Sequence, residues 1–184
     1  MALVGGKLEN PVAARLVVER ILEEAVGNFR HYLEELKRCG GPRCVEIVKD
    51  AANHISDIEL ARVIIEAARG AGCVAGVSDV VHDIARCIRV KAYEVEDVNI
   101  AWGLHSLYKA FYASLRGDVR SAAFLTFASY AFLTERRELA WAVLREVLGE
   151  RRVEQEKLLL ELGRLLHGFK KAGVVITSKD VERG

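Results

Sequence analysis

Ser121-Ala-Ala-Phe-Leu-Thr-Phe-Ala-Ser-Tyr-Ala-Phe-Leu-Thr134 runs for 14 residues without a charged side chain. Such a run is too short to cross a bilayer, which takes about 20 apolar residues. A helix that is apolar on every side belongs instead in the middle of a bundle. Ala122, Ala123, Ala128 and Ala131 would let neighbouring helices approach closely. Nine of the 13 aromatic residues fall between Trp102 and Trp141. This region therefore reads as packed core, with an aromatic-lined pocket or partner groove as the alternative.

Outward from this segment the signals are helical. Asn10-Pro11 predicts a helix start, and apolar periodicity carries that helix to Arg38, with Gly27-Asn28 as a possible kink. A second helix is expected over 42–53. Ser56-Asp57-Ile58-Glu59 reads as a capping box opening a third helix that ends at Gly70. Ser78 is the expected cap of a fourth, reaching Lys91. Four more follow at about 98–116, 119–133, 135–148 and 150–167. The one strand-like run, Val174 to Thr177, is too short to build a sheet. The expectation is an all-α bundle of about eight helices, a helical-repeat stack being the alternative. It would form one domain over 1–171, with a sub-boundary near 93–97 and a tail over 172–184.

The 184 residues carry 27 basic and 26 acidic side chains, net +1, so no electrostatic pull toward nucleic acid or membrane is visible. Met1 to Pro11 has no apolar stretch of the secretory type, which predicts a cytoplasmic location. Arginine outnumbers lysine 18 to 9, and there is one Met, one Gln and four Asn, a thermophile-like composition. That bears on Cys39, Cys44, Cys73 and Cys87, because intracellular proteins of hyperthermophiles are often disulfide-bonded. Cys39 and Cys44 flank a flexible Gly40-Gly41-Pro42-Arg43 turn that could let two thiols meet. Disulfides, buried thiols and a metal site all remain open from spacing alone.

For chemistry, the sharpest motif is His82-Asp83, with His54 standing 28 residues earlier. The arrangement resembles the pattern of metal-dependent HD phosphohydrolases. That resemblance implies a divalent metal held by His54, His82 and Asp83, generating hydroxide to attack a phosphate. The run continues Ile84-Ala85 where that family has Ile-Gly, and only Asp97, Asp118 and Asp180 follow as further aspartates. Glu46, Asp50 and His54 also share a helix face, and Asp79 stands three residues before His82. No Glu-x-x-His occurs for a di-iron bundle, and neither a phosphate-cradling loop nor a serine elbow is present. A nucleic-acid role would fall to the Arg136–Arg152 face, although seven glutamates interleave with the nine cations between Thr134 and Lys171.

Two stripes suggest association instead. Val18, Leu22, Phe29, Tyr32 and Leu36 recur at steps of three, four and seven in the first helix. Leu158, Leu162, Leu165 and Phe169 do so at steps of three and four in the last. Either faces the core or meets a protein partner or a second copy. With no catalytic motif standing clear, the expected function is a non-enzymatic interaction or assembly subunit without a cofactor.

Overall fold

The computed structural model describes residues 6–74 and 81–173. Among these residues there are nine helices and no strand: α1 (Gly6–Glu24), α2 (Gly27–Arg38), α3 (Arg43–His54), α4 (Asp57–Gly70), α5 (Val81–Glu94), α6 (Val98–Leu115), α7 (Val119–Leu133), α8 (Arg137–Leu148) and α9 (Glu150–Lys171). Ser56 Oγ accepts the Glu59 N–H at 3.2 Å and opens α4. Asp97 accepts from Asn99 and Ile100 at the start of α6. Asp118 accepts from the Ser121 N–H at the start of α7, and hydrogen bonding from the Ser121 side chain, together with that backbone bond, holds its carboxyl below the usual range. Ser78, Asp79, Asp180 and the run from Val174 to Thr177 lie outside the described residues.

The charge-free segment occupies the centre. Every residue from Ala122 to Leu133 is buried, and α7 is packed by α1, α3, α4, α6 and α8. Its closest neighbour is α6, where Ser129 Oγ donates to the Gly103 carbonyl at 2.7 Å. A Cβ on Gly103 would lie 2.7 Å from Leu133, so the two helices meet at a distance only glycine permits. On the other side Phe127 stacks on Phe29 of α2, centroids 5.1 Å apart. In a repeat stack each element touches only its neighbours. Here α1 packs on α4 and α9 returns to α5, which makes the assembly a closed bundle.

Three expectations change. The first long helix is two helices, and α1 begins at Gly6, so Pro11 lies inside it rather than at its first position. The break falls at Ala25-Val26, and Gly27 has a positive φ of 56°. The cause is distant in sequence: the Glu59 carboxylate accepts the Asn28 N–H at 3.4 Å, and any side chain on Gly27 would run into it. Glu59 thus caps α2 across space instead of closing a reciprocal box with Ser56. The second change concerns the proposed interaction stripe. Phe29, Tyr32 and Leu36 are buried in the core, and Val18 and Leu22 are partly buried against it. That stripe holds the bundle together and is not a free face. Third, of the i,i+4 pairs that the spacing offers on outer helix faces, which include Arg30–Glu34, Arg152–Glu156 and Lys157–Glu161, Arg30–Glu34 forms, at 3.4 Å. Glu156 and Lys157, however, pair with Lys109 and Glu154 and not with i,i+4 partners.

The four cysteines form two disulfides, Cys39–Cys44 and Cys73–Cys87, each with Cα atoms 5.5 Å apart. The first joins the end of α2 to the start of α3. The second joins the end of α4 to α5.

Candidate interaction face

α9 is attached to the bundle by a mixture of apolar and polar groups. A single residue, Gly149 with φ of 83°, separates it from α8. Val153, Glu156 and Leu160 are its buried side chains. Glu156 is the central pin: His105 Nε2 of α6 donates to Oε2 at 2.9 Å, and Lys109 Nζ lies 3.1 Å from Oε1. Burial pushes the Glu156 carboxyl upward. The His105 hydrogen bond and the Lys109 charge outweigh that and hold it at about 2. His105 packs edge-on to Trp102, centroids 5.5 Å apart, and its Nδ1 has no partner. Lys157 lies 4.5 Å from the centre of the Trp141 ring.

Further along, Gly163 leaves room for Tyr93, whose ring would be 2.5 Å from an added Cβ. Arg164 Nη1 donates to the Ala92 carbonyl at 2.7 Å, capping the end of α5. His167 Nε2 stands 3.4 Å from the Glu94 carboxylate.

Consequently the leucines of α9 other than the buried Leu160 lie toward the outer side. At about 100° per residue, the set 153, 156, 160, 163 and 167 centres on one side of the axis. Leu158, Leu162, Leu165 and Phe169 centre about 180° from it. Their exposures bear this out: Leu158 67%, Leu159 57%, Leu162 51%, Leu165 56% and Phe169 39%. Other exposed apolar side chains do not form a stripe: Ile58 stands on α4, and Val98 and Leu115 stand at opposite ends of α6. Six large apolar side chains on one stripe, counting half-buried Leu166, amount to on the order of 500 Å², near the upper range for the largest patch on a monomer.

The order of the leucines has a further regularity. Apart from the buried Leu160, whose mirror position is Arg164, it is symmetric about Leu162, with Leu159 and Leu165 three residues away and Leu158 and Leu166 four residues away.

No protein-family model, curated protein or solved structure matches this chain.

The remaining sequence candidates are dispersed. His54 ends α3, exposed, with its ring on Tyr32 and Nδ1 3.3 Å from Asp50 Oδ1. His82 and Asp83 are exposed at the start of α5, a helix that does not pack as a pair with α3. Asp50 Oδ2 accepts the Tyr32 hydroxyl at 2.9 Å, and Glu46 meets Lys49 at 3.4 Å. Among the described residues no group of three or more histidines, cysteines or carboxylates is placed to hold a metal ion. No described helix is long and apolar enough to cross a membrane. Of the Arg136–Arg152 face, Arg136 turns inward onto the Leu36 and Cys39 carbonyls, and Arg145 pairs with Glu150 at 3.2 Å. The His105–Glu156 pin had no sequence signal, because its partners stand 51 residues apart with no local spacing.

Proposed function

We propose that this chain is an assembly subunit that pairs with a second copy of itself through α9, the two helices running antiparallel about a two-fold axis at Leu162. The single observation that supports this reading is the leucine stripe, turned away from its own bundle and symmetric about its midpoint. An antiparallel pairing centred on Leu162 sets Leu158 against Leu166 of the other copy and Leu159 against Leu165, so every leucine of the stripe meets a leucine. A two-fold contact requires this self-complementarity, whereas a different partner places no such demand on the spacing. The same alignment brings Glu154 of one copy beside Lys170 of the other, which adds charge complementarity. Two facing stripes cover on the order of 1,000 Å² in total, the lower bound for a specific interface.

Sedimentation velocity at tens of micromolar tests the reading. The full chain is expected as a dimer. Leu162→Glu places two carboxylates on the axis and is expected to give a monomer whose thermal unfolding is little changed, since the side chain is already half open to water. A chain ending at Gly173 is expected to remain dimeric. A full chain that stays monomeric at high micromolar concentration overturns the proposal. If that monomer dimerises only on removal of 174–184, the tail covers the stripe instead.

A further inference from the structure

The two disulfides differ in their electrostatic surroundings. Cys39 follows the last residue of α2, and Cys44 is the second residue of α3. From the turn between α7 and α8, Arg136 reaches into this junction. Its Nη1 donates to the Leu36 carbonyl, and its Nη2 to the Cys39 carbonyl at 3.1 Å. The same Nη2 stands 3.4 Å from Cys44 Sγ and 3.8 Å from Cys39 Sγ. The residue before it, Glu135, has φ of 65° and is the only non-glycine with positive φ among the described residues, so the backbone is bent to deliver this guanidinium. Cys44 is buried and Cys39 is partly exposed. The junction walls a groove of about 980 Å³ lined by Gly41, Pro42, Cys44, Arg136 and Trp141. At Cys73–Cys87, by contrast, no described side chain donates to either sulfur.

We propose that Cys39–Cys44 is an exchangeable disulfide that takes electrons from low-molecular-weight thiols, with Arg136 as the positioning residue that holds the outgoing sulfur. A thiolate RS⁻ attacks Cys39 Sγ, the more accessible sulfur. The S–S bond breaks and Cys44 leaves with the electron pair as a thiolate. The new bond is the mixed disulfide R–S–S–Cys39. A second RS⁻ attacks the R sulfur, departs as RSSR, and leaves Cys39 as the second thiolate. Two thiols have lost two electrons, and the protein pair has gained them. The protons released by the thiols protonate Cys39 or pass to solvent. The geometry favours this direction of attack because a thiolate leaves faster the lower its pKa. A helix N-terminus and an adjacent arginine both lower that of Cys44. The proposal is independent of pairing through α9.

The test exposes the native protein to graded mixtures of reduced and oxidised glutathione, followed by acid quench, alkylation and peptide mass analysis of each cysteine pair. Cys39–Cys44 is expected to open under conditions at least tenfold less reducing than Cys73–Cys87. In protein opened at that pair alone, thiolate absorbance at 240 nm is expected to show one thiol titrating well below the ordinary value of about 8.5. Arg136→Gln should raise that midpoint and slow the opening, and Arg136→Lys should restore part of both. Cys44→Ser should accumulate glutathione on Cys39. Simultaneous opening of the two disulfides, or two thiols titrating at or above the ordinary value, overturns the proposal. Should Arg136→Gln fail to fold, the wild-type titration and Arg136→Lys decide it.

Discussion

Glu156 shows how much a single buried carboxylate can govern here. It enters an interior otherwise lined by aromatic and aliphatic side chains, and two cationic or donor groups from α6 meet it there. Its pKa, held at about 2, lies below the ordinary 4.5. The ionised form is therefore the one the fold favours. Its contribution is fully present above pH 4.5 and is lost as pH falls toward 2, and a shift of this size corresponds to on the order of 3 kcal/mol. Urea unfolding across pH 2 to 6 should show this loss, and Glu156→Gln should flatten that part of the curve while lowering stability at neutral pH. The residue was not legible beforehand. Composition reveals that a glutamate stands in a leucine-rich helix, but only the fold brings His105 and Lys109 to it.

Helical periodicity identified two apolar stripes and gave no means of deciding which side of either had a neighbour. The stripe around Phe29, expected as an interaction face, instead lies against and within the core. In α9 Glu156, Gly163, Arg164 and His167 share the inward side with Val153 and Leu160, while most of its leucines face outward. The inward groups find their partners on α5 and α6, far away in the sequence, so their pairing left no mark on local spacing. The kink expected at Gly27-Asn28 is a full break, and its extent was not readable for a related reason, since the Glu59 carboxylate that accepts the Asn28 N–H belongs to α4. A start fixed by neighbouring residues, that of α4 at Ser56 with Glu59, was readable. The docking of α9 can be tested on its own. Gly163→Val drives a side chain into the Tyr93 ring and should raise proteolytic susceptibility within α9 without a comparable change in α6 or α7. An equal rise in all three helices would mean that α9 is not a separable unit.

For the molecule as a whole, α7 is the axle, and the charge-free run that suggested a bundle turned out to be its most enclosed part. Phe127 contacts Phe29 across the bundle, so Phe127→Ala should cost about 3–5 kcal/mol, read as a shifted midpoint in urea. The number of helices followed from turn and cap residues to within one. The closure of the bundle did not, because it depends on α1 meeting α4 and α9 meeting α5, contacts between segments whose order in the chain gives no sign of adjacency.

The outward leucines also set how the molecule responds to temperature. Transfer of an aliphatic face out of water carries almost no enthalpy near 25 °C and a large negative heat capacity, so its attraction weakens on cooling. Pairs of this protein joined by that face should therefore fall apart in the cold and tighten on warming. The smaller species would then be collected at 4 °C and the larger one at 40 °C.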